Sequence, residues 1–252
     1  MPLARADLES LLRARQLDRT LTTSLPPVNP GDDVAVAPSG ITALDARLGG
    51  GFPRGQLSEL VGPRSSGRTS VLLRTLAAAT ARGELVALVD ALDMLDVESA
   101  AAAGVDLDRL LWVRGHVVMS PGMCRDLNQR ALEQAIRAIA LVLQAGNFGV
   151  VAFDVAEAPS DAVRRLPFTT WLRLQRMIEG SQTACVLVGS EAMARSSAGL
   201  TVQCGMRNAD CGLRFGDRVF DGLNVGARIV RARAHSREEA AVAFPTVAAH
   251  SA

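Results

Sequence analysis

Apolar and polar positions recur along the chain in two rhythms, and the points where the rhythm changes divide it. Near the start Leu8, Leu11 and Leu12 share one helical face while Arg13, Arg15 and Arg19 lie elsewhere, so residues 1–22 read as a helical arm. Pro26, Pro27, Pro30, Gly31 and Pro38 then interrupt any regular pattern, and residues 23–38 read as a linker. From residue 39 onward short apolar runs (56–61, 85–89, 110–113, 150–153 and 184–188) alternate with helical stretches. The helices are 70–81, 168–179 and one whose inner face carries Leu132, Ile136, Ile139 and Leu143. Mostly apolar strands separated by amphipathic helices predict an α/β core with a mostly parallel central sheet flanked by helices. Beyond Gly199 the runs 200–204, 210–215 and 227–234 follow one another with short turns, which predicts an antiparallel extension of one sheet edge. The expected organisation is thus an N-terminal arm, a linker, a core over 39–240 and a flexible tail over 241–252.

Composition changes this picture in three ways. Apolar residues make up 48% of the chain but aromatics only 4%, so the core must be built mostly of aliphatic side chains. Arginine supplies every one of the 27 cationic side chains, since the chain contains no lysine, and the formal net charge is only +1. No global field therefore draws the protein to nucleic acid, and any such contact needs a local patch. Arg207, Arg214, Arg218, Arg228, Arg231, Arg233 and Arg237 make the C-terminal edge the most basic such surface. Cys124, Cys185, Cys204 and Cys211 lack the Cys-x-x-Cys spacing of a zinc site, so no metal site is expected. Free thiols, early charges at Arg5, Asp7 and Glu9 and the lack of an apolar run of about 18 residues together predict a cytoplasmic protein without membrane contact.

The chemistry-bearing segment is Gly62-Pro63-Arg64-Ser65-Ser66-Gly67-Arg68-Thr69. It has the frame of a phosphate-binding loop, with two glycines five apart, a cation and a hydroxyl, and it lies between a strand and a helix as that frame requires. Backbone N–H groups at such a turn, backed by the helix N-terminus, form a nest for phosphate, and Thr69 would offer its hydroxyl to Mg²⁺. Arg68 departs from the usual lysine, and a planar guanidinium is not interchangeable with a compact ammonium. Three readings stay open: a loop kept for the fold that binds nothing, a loop that binds nucleotide weakly without turnover, and a working ATPase site.

Several further segments carry a family resemblance. Ser39-Gly40-Ile41, Leu44-Asp45, Leu48-Gly49-Gly50-Gly51-Phe52-Pro53 and Gly55, followed by the phosphate loop, resemble the entry segment of RecA and its relatives. Gly104-Val105-Asp106-Leu107-Asp108-Arg109-Leu110-Leu111 is similar to a later stretch of that family. The resemblance implies a RecA-like core and assigns roles by position. Asp154 falls where the family holds Mg²⁺ through water. Leu92 falls where the family carries the glutamate that activates water, with Asp93 next to it as a substitute. Gly189-Ser190 replaces the glutamine that senses the terminal phosphate. The segments 155–167 and 191–200 correspond to the family's DNA-binding loops, which makes Arg164, Arg165 and Arg195 candidate phosphate contacts for weak, sequence-independent DNA binding.

With the lysine and the base both replaced, these residues lead to the expectation of a protein that is not an enzyme. It would need no cofactor, and ATP or ADP with Mg²⁺ would bind weakly at Gly62, Ser65, Ser66, Gly67, Arg68, Thr69 and Asp154. Arg164-Arg165-Leu166-Pro167 and the helix containing Trp171-Leu172-Arg173-Leu174-Gln175-Arg176 are further similar to ImuA, the RecA-like member of bacterial mutagenesis cassettes. That likeness implies an accessory role in the DNA damage response and translesion synthesis, with RecA and an ImuB-like polymerase homologue as partners. Leu8, Leu11 and Leu12 are then the candidate partner contact, unless the arm packs on its own core. Two alternatives remain: an active RecA- or RadA-type DNA-dependent ATPase, and a division inhibitor of the SulA kind.

Overall fold

The computed structural model describes residues 35–115, 125–206, 222–232 and 242–247. The arm with Leu8, Leu11 and Leu12 and the expected strand at 210–215 lie outside them. Strands β1 (Val36–Ala37) and β2 (Phe52–Pro53) form a two-stranded antiparallel ribbon around helix α1 (Thr42–Arg47). The core then runs β3 (Leu57–Val61), α2 (Arg68–Ala81), β4 (Val86–Asp90), α3 (Val97–Ala102), β5 (Leu110–Arg114), α4 (Arg125–Ala145), β6 (Val150–Asp154), α5 (Ser160–Arg164), α6 (Phe168–Ile178), β7 (Ala184–Gly189), β8 (Ala198–Met206), β9 (Gly222–Ala232) and β10 (Val242–Val247).

The main sheet has eight strands in the order β10-β9-β8-β3-β7-β6-β4-β5. Every neighbouring pair from β5 across to β8 is parallel, and β9 and β10 add antiparallel strands at the far edge. The strands alternate side chains between two cores. Leu60, Val86, Leu88, Val150, Ala152, Val186 and Val188 meet Val71, Leu72 and Leu76 of α2 on one face. Leu57, Ala87, Val89, Val151, Phe153, Cys185 and Leu187 meet Leu132, Ile136, Ile139 and Leu143 of α4 and Trp171 and Leu174 of α6 on the other. A sheet buried on both faces explains why its strands read as continuous apolar runs rather than as alternating ones.

Three sequence expectations change. The C-terminal extension is antiparallel only from β9 on, because β8 lies parallel to β3. Residues 241–252 are not wholly a free tail: β10 pairs with β9, and Phe244 is buried in the core. Pro245 obscured this strand, but β10 is the outermost strand of the sheet, where a missing N–H is tolerated. The linker is likewise shorter than 23–38, since β1 falls within it and Ala37 is fully buried.

Candidate functional site

Strand β3 delivers the chain to the phosphate loop, and α2 leaves from it. The loop is anchored at its start by the Gly62 N–H, which donates to the Gly189 carbonyl at the end of β7 (3.1 Å). Only glycine fits at the two glycine positions of the frame. A Cβ on Gly62 would lie 2.5 Å from the Cys204 carbonyl oxygen of β8. At Gly67 the backbone is left-handed (φ 84°), and a Cβ would lie 2.3 Å from Cγ2 of Val225 on β9. Ser65 is also left-handed (φ 58°), and the Ser66 N–H closes the turn by donating to the Pro63 carbonyl (3.2 Å). Thr69 is exposed in the first turn of α2, where a hydroxyl can meet a ligand.

Arg68 is buried, only 5% exposed, and its guanidinium donates to the Gly62 carbonyl and, at 2.7 Å, to Glu157 Oε1. Arg64 donates through Nε to the other oxygen of the same carboxylate at 2.6 Å. Two buried polar atoms of the loop, Ser66 Oγ and Arg68 Nε, have no hydrogen-bond partner among the described residues. Asp154 ends β6 and accepts the Ala156 N–H through Oδ1 at 2.8 Å. Burial pushes its carboxyl up from 3.8 to about 6; the Ala156 N–H and the Arg68 charge oppose this, while the charges of Asp90 and Glu157 add to it. The structure thus gathers Gly62, Ser65, Ser66, Gly67, Arg68, Thr69 and Asp154 at the C-terminal end of the parallel strands, the position at which sheets of this kind bind ligands.

Leu92 sits just beyond β4, partly buried against the core that holds α4. Asp93 does not replace it as a free base, because both of its oxygens accept from Arg114 at 2.7 Å. That hydrogen-bonded pair holds the Asp93 carboxyl below the usual carboxylate range, which weakens it as a proton acceptor. Asp90 is occupied too, accepting the Leu95 N–H (2.8 Å) and the Trp112 indole N–H (3.3 Å).

The three candidate DNA contacts are exposed but only partly together. Arg164 and Arg195 line one cavity with Val163, Phe168, Trp171 and Glu191, whereas Arg165 lies outside that lining. Arg164 pairs with Glu191 and Arg165 with Asp161, each at 2.6 Å, and the Arg195 carbonyl accepts from Arg231. Two residues that the sequence did not single out prove central. One is Glu157. The other is Glu59 of β3, 1% exposed, which accepts the N–H groups of Met193 and Ala194 (both 2.7 Å) and the Thr201 hydroxyl (2.8 Å). Glu59 therefore pins the loop after β7 to the strand that feeds the phosphate loop. Its one legible trace was a carboxylate in the middle of a strand, flanked by Ser58 and Leu60.

Comparison with known proteins agrees with this geometry. The RecA N-terminal domain family matches residues 24–156. Protein RecA of Clavibacter michiganensis is 40% identical over 126 residues, which are 50% of this chain and 31% of that protein. Protein RecA of Streptomyces avermitilis is 48% identical over 83 residues, 32% of this chain and 22% of its own. The matches thus span about a third or less of these curated relatives. The crystal structure of the RadB recombinase superposes with a TM-score of 0.56 at 18% identity, covering 83% of this chain and 96% of that one, which shows the shared fold.

The sequence relatives correct the expectation that the chain is not an enzyme, since proteins 38–40% identical over about half of it carry the name RecA. That expectation gave two substituted side chains, Arg68 and Leu92, more weight than the intact loop, the Thr69 hydroxyl and Asp154 around them. Among the described residues no helix is long and apolar enough to cross a membrane. The phosphate loop between β3 and α2, the strand order that places Asp154 at the same sheet end, and the match over more than half its length make this chain a member of the RecA N-terminal domain family.

Proposed function

We propose that this protein works in DNA repair or recombination as a nucleotide-driven member of its family, binding ATP with Mg²⁺ at Gly62–Thr69 and Asp154 and hydrolysing it in a DNA-dependent cycle. The observation that supports this most is the phosphate loop itself, with its left-handed Ser65 and Gly67, its close glycine approaches to β8 and β9, and two buried polar atoms without partners among the described residues. Nucleotide would be held by backbone N–H groups and Arg68, Thr69 would offer its hydroxyl to the metal, and Asp154 would hold the metal through water. Leu92 supplies no proton transfer, and a general base typically contributes about 10²–10⁴-fold, so turnover is slow. DNA would contact Arg164, Arg165 and Arg195 through phosphates. The test is ATP turnover with and without single-stranded DNA, in the parent and in Thr69→Ala. DNA-stimulated turnover that disappears in the variant supports the reading; no turnover, or turnover indifferent to Thr69, overturns it.

A finer placement, beside ImuA in translesion mutagenesis, is supported by the likeness of Arg164–Pro167 and of the helix around Trp171, whose side chain is only 2% exposed. In this placement the partners are RecA and an ImuB-like polymerase homologue, bound through the arm at Leu8, Leu11 and Leu12. Pull-down of RecA, abolished on deleting residues 1–22 while the core keeps its thermal transition, supports it. Capture of FtsZ instead favours the division-inhibitor alternative.

A further inference from the structure

Both arginines of the phosphate loop are held by one of this chain's own carboxylates. Glu157 lies three residues beyond Asp154, and its two oxygens divide between two arginines of the loop: Oε1 accepts from Arg68 at 2.7 Å and Oε2 from Arg64 Nε at 2.6 Å. The pair with Arg68 is sheltered, the side chains being 6% and 20% exposed, whereas Arg64 is 82% exposed and closes over the carboxylate from the solvent side. Such charge-assisted contacts to guanidinium groups are the ones a phosphate also makes, and the same donors cannot serve both anions at full strength. Arg68 Nε and Ser66 Oγ are buried donors that Glu157 does not reach and that have no partner among the described residues. A carboxylate has two oxygens to offer, and a terminal phosphate has three. The loop is thus better matched to the larger anion than to the one it holds.

We propose that Glu157 is a built-in competitor of nucleotide phosphate, holding Arg64 and Arg68 until a polyphosphate displaces it. This rests on the reading of Gly62–Thr69 as a nucleotide site and adds that site's regulation. Each binding event must break the Glu157 pairs before Arg68 can face the ligand. The apparent affinity is then lower than the loop alone would give by the fraction of time the carboxylate is out. Ligands with more phosphate charge displace it better, so the contact also sorts nucleotides by phosphate number. Asp93 cannot take over the role, because both of its oxygens are committed to Arg114, and Oδ2 of Asp90 is held by Leu95 and Trp112.

The full chain with Mg²⁺ and a fluorescent ATP analogue provides the test, with ATP and adenosine as displacing ligands. Glu157→Gln keeps the shape and loses the charge; Glu157→Asp keeps the charge but is too short to span both arginines. Breaking one charge-assisted contact is expected to tighten ATP binding about ten- to hundredfold in the Gln variant and by less in the Asp variant, with adenosine unchanged. Equal or weaker ATP affinity in both variants overturns the competition while leaving the site reading intact. So does a gain that adenosine shares, since the effect would then not lie at the phosphates. If neither parent nor variants bind ATP at millimolar concentration, the site reading falls and the proposal with it.

Discussion

Replacing Asp154 by Asn should make the folded protein more stable, not less, at neutral pH and above. The carboxyl ends β6 half-buried, and burial raises it from 3.8 to about 6, with the nearby Asp90 and Glu157 charges adding to the rise. Between those values the native state keeps a proton that the unfolded chain releases. The group's contribution to stability is therefore fully present below about pH 4 and is lost as pH rises through about 6. At about 1.4 kcal/mol per pH unit the ionised carboxylate costs about 3 kcal/mol above pH 7, an upper figure because water screens a half-buried charge in part. Asn removes the charge, and its amide oxygen still accepts the Ala156 N–H now held at 2.8 Å. For a domain of this size about 3 kcal/mol corresponds to a Tm gain of roughly 6–12 °C. Thermal and urea unfolding of parent and Asp154→Asn between pH 3.5 and 8 would measure it, with the two curves merging at the acid end. A variant less stable than the parent at pH 8, or an advantage that persists unchanged at pH 3.5, would show that the ionised Asp154 carboxylate does not burden the fold. Under the proposed function the same variant should bind Mg²⁺-ATP more weakly, so stability and ligand affinity should move in opposite directions.

Glu59→Leu should orphan the buried N–H groups of Met193 and Ala194, at about 1–3 kcal/mol each, while Glu59→Gln can still accept both and should lose less; urea midpoints separate the two, and equal losses would mean that the hydrogen bonds to the loop matter little. Replacing Arg164, Arg165 and Arg195 together should weaken single-stranded DNA binding and flatten its salt dependence by ~0.7 for each phosphate no longer neutralised, as read by fluorescence anisotropy; an unchanged slope would remove these loops from the interface. The thiols of Cys185 and Cys204, both pushed up to about 12 by burial, should resist alkylation at pH 8 in the native protein and react once it is unfolded in guanidinium, and rapid native labelling of either would contradict their placement in the core.

The parts of this molecule that could be read from its sequence are those in which neighbours along the chain are also neighbours in space. The phosphate loop is contiguous, so Gly62, Gly67 and Thr69 declared both their geometry and the strand and helix on either side. The strands declared themselves because a sheet buried on both faces requires apolar residues in succession, as at Val86–Asp90 and Val150–Asp154. What stayed hidden acts across distance. Glu59 meets Met193 and Ala194 more than 130 positions away, and Glu157 meets Arg68 across 89. Strand β10 was hidden by Pro245, and β1 by the prolines around it, because the tolerance of an edge is a property of the sheet and not of the segment.

The same distinction bears on what Arg68 means. Comparing arginine with lysine at this position treats the side chain as if it stood alone with a phosphate. In the fold it stands with two oxygen partners, the Gly62 carbonyl inside the loop and a carboxylate delivered from beyond β6. A lysine would reach such a carboxylate as a point charge with no fixed plane, whereas the guanidinium can keep a carbonyl and a carboxylate at once through different nitrogens. The arginine and Glu157 are therefore one device, and the consequence of either residue depends on the other. Arg68→Lys alone should loosen the grip on Glu157 and tighten nucleotide binding, and in a Glu157→Gln background the same change should do much less. A double-mutant cycle on ATP affinity measures that coupling directly, and additive effects of the two substitutions would show that Arg68 and Glu157 act independently.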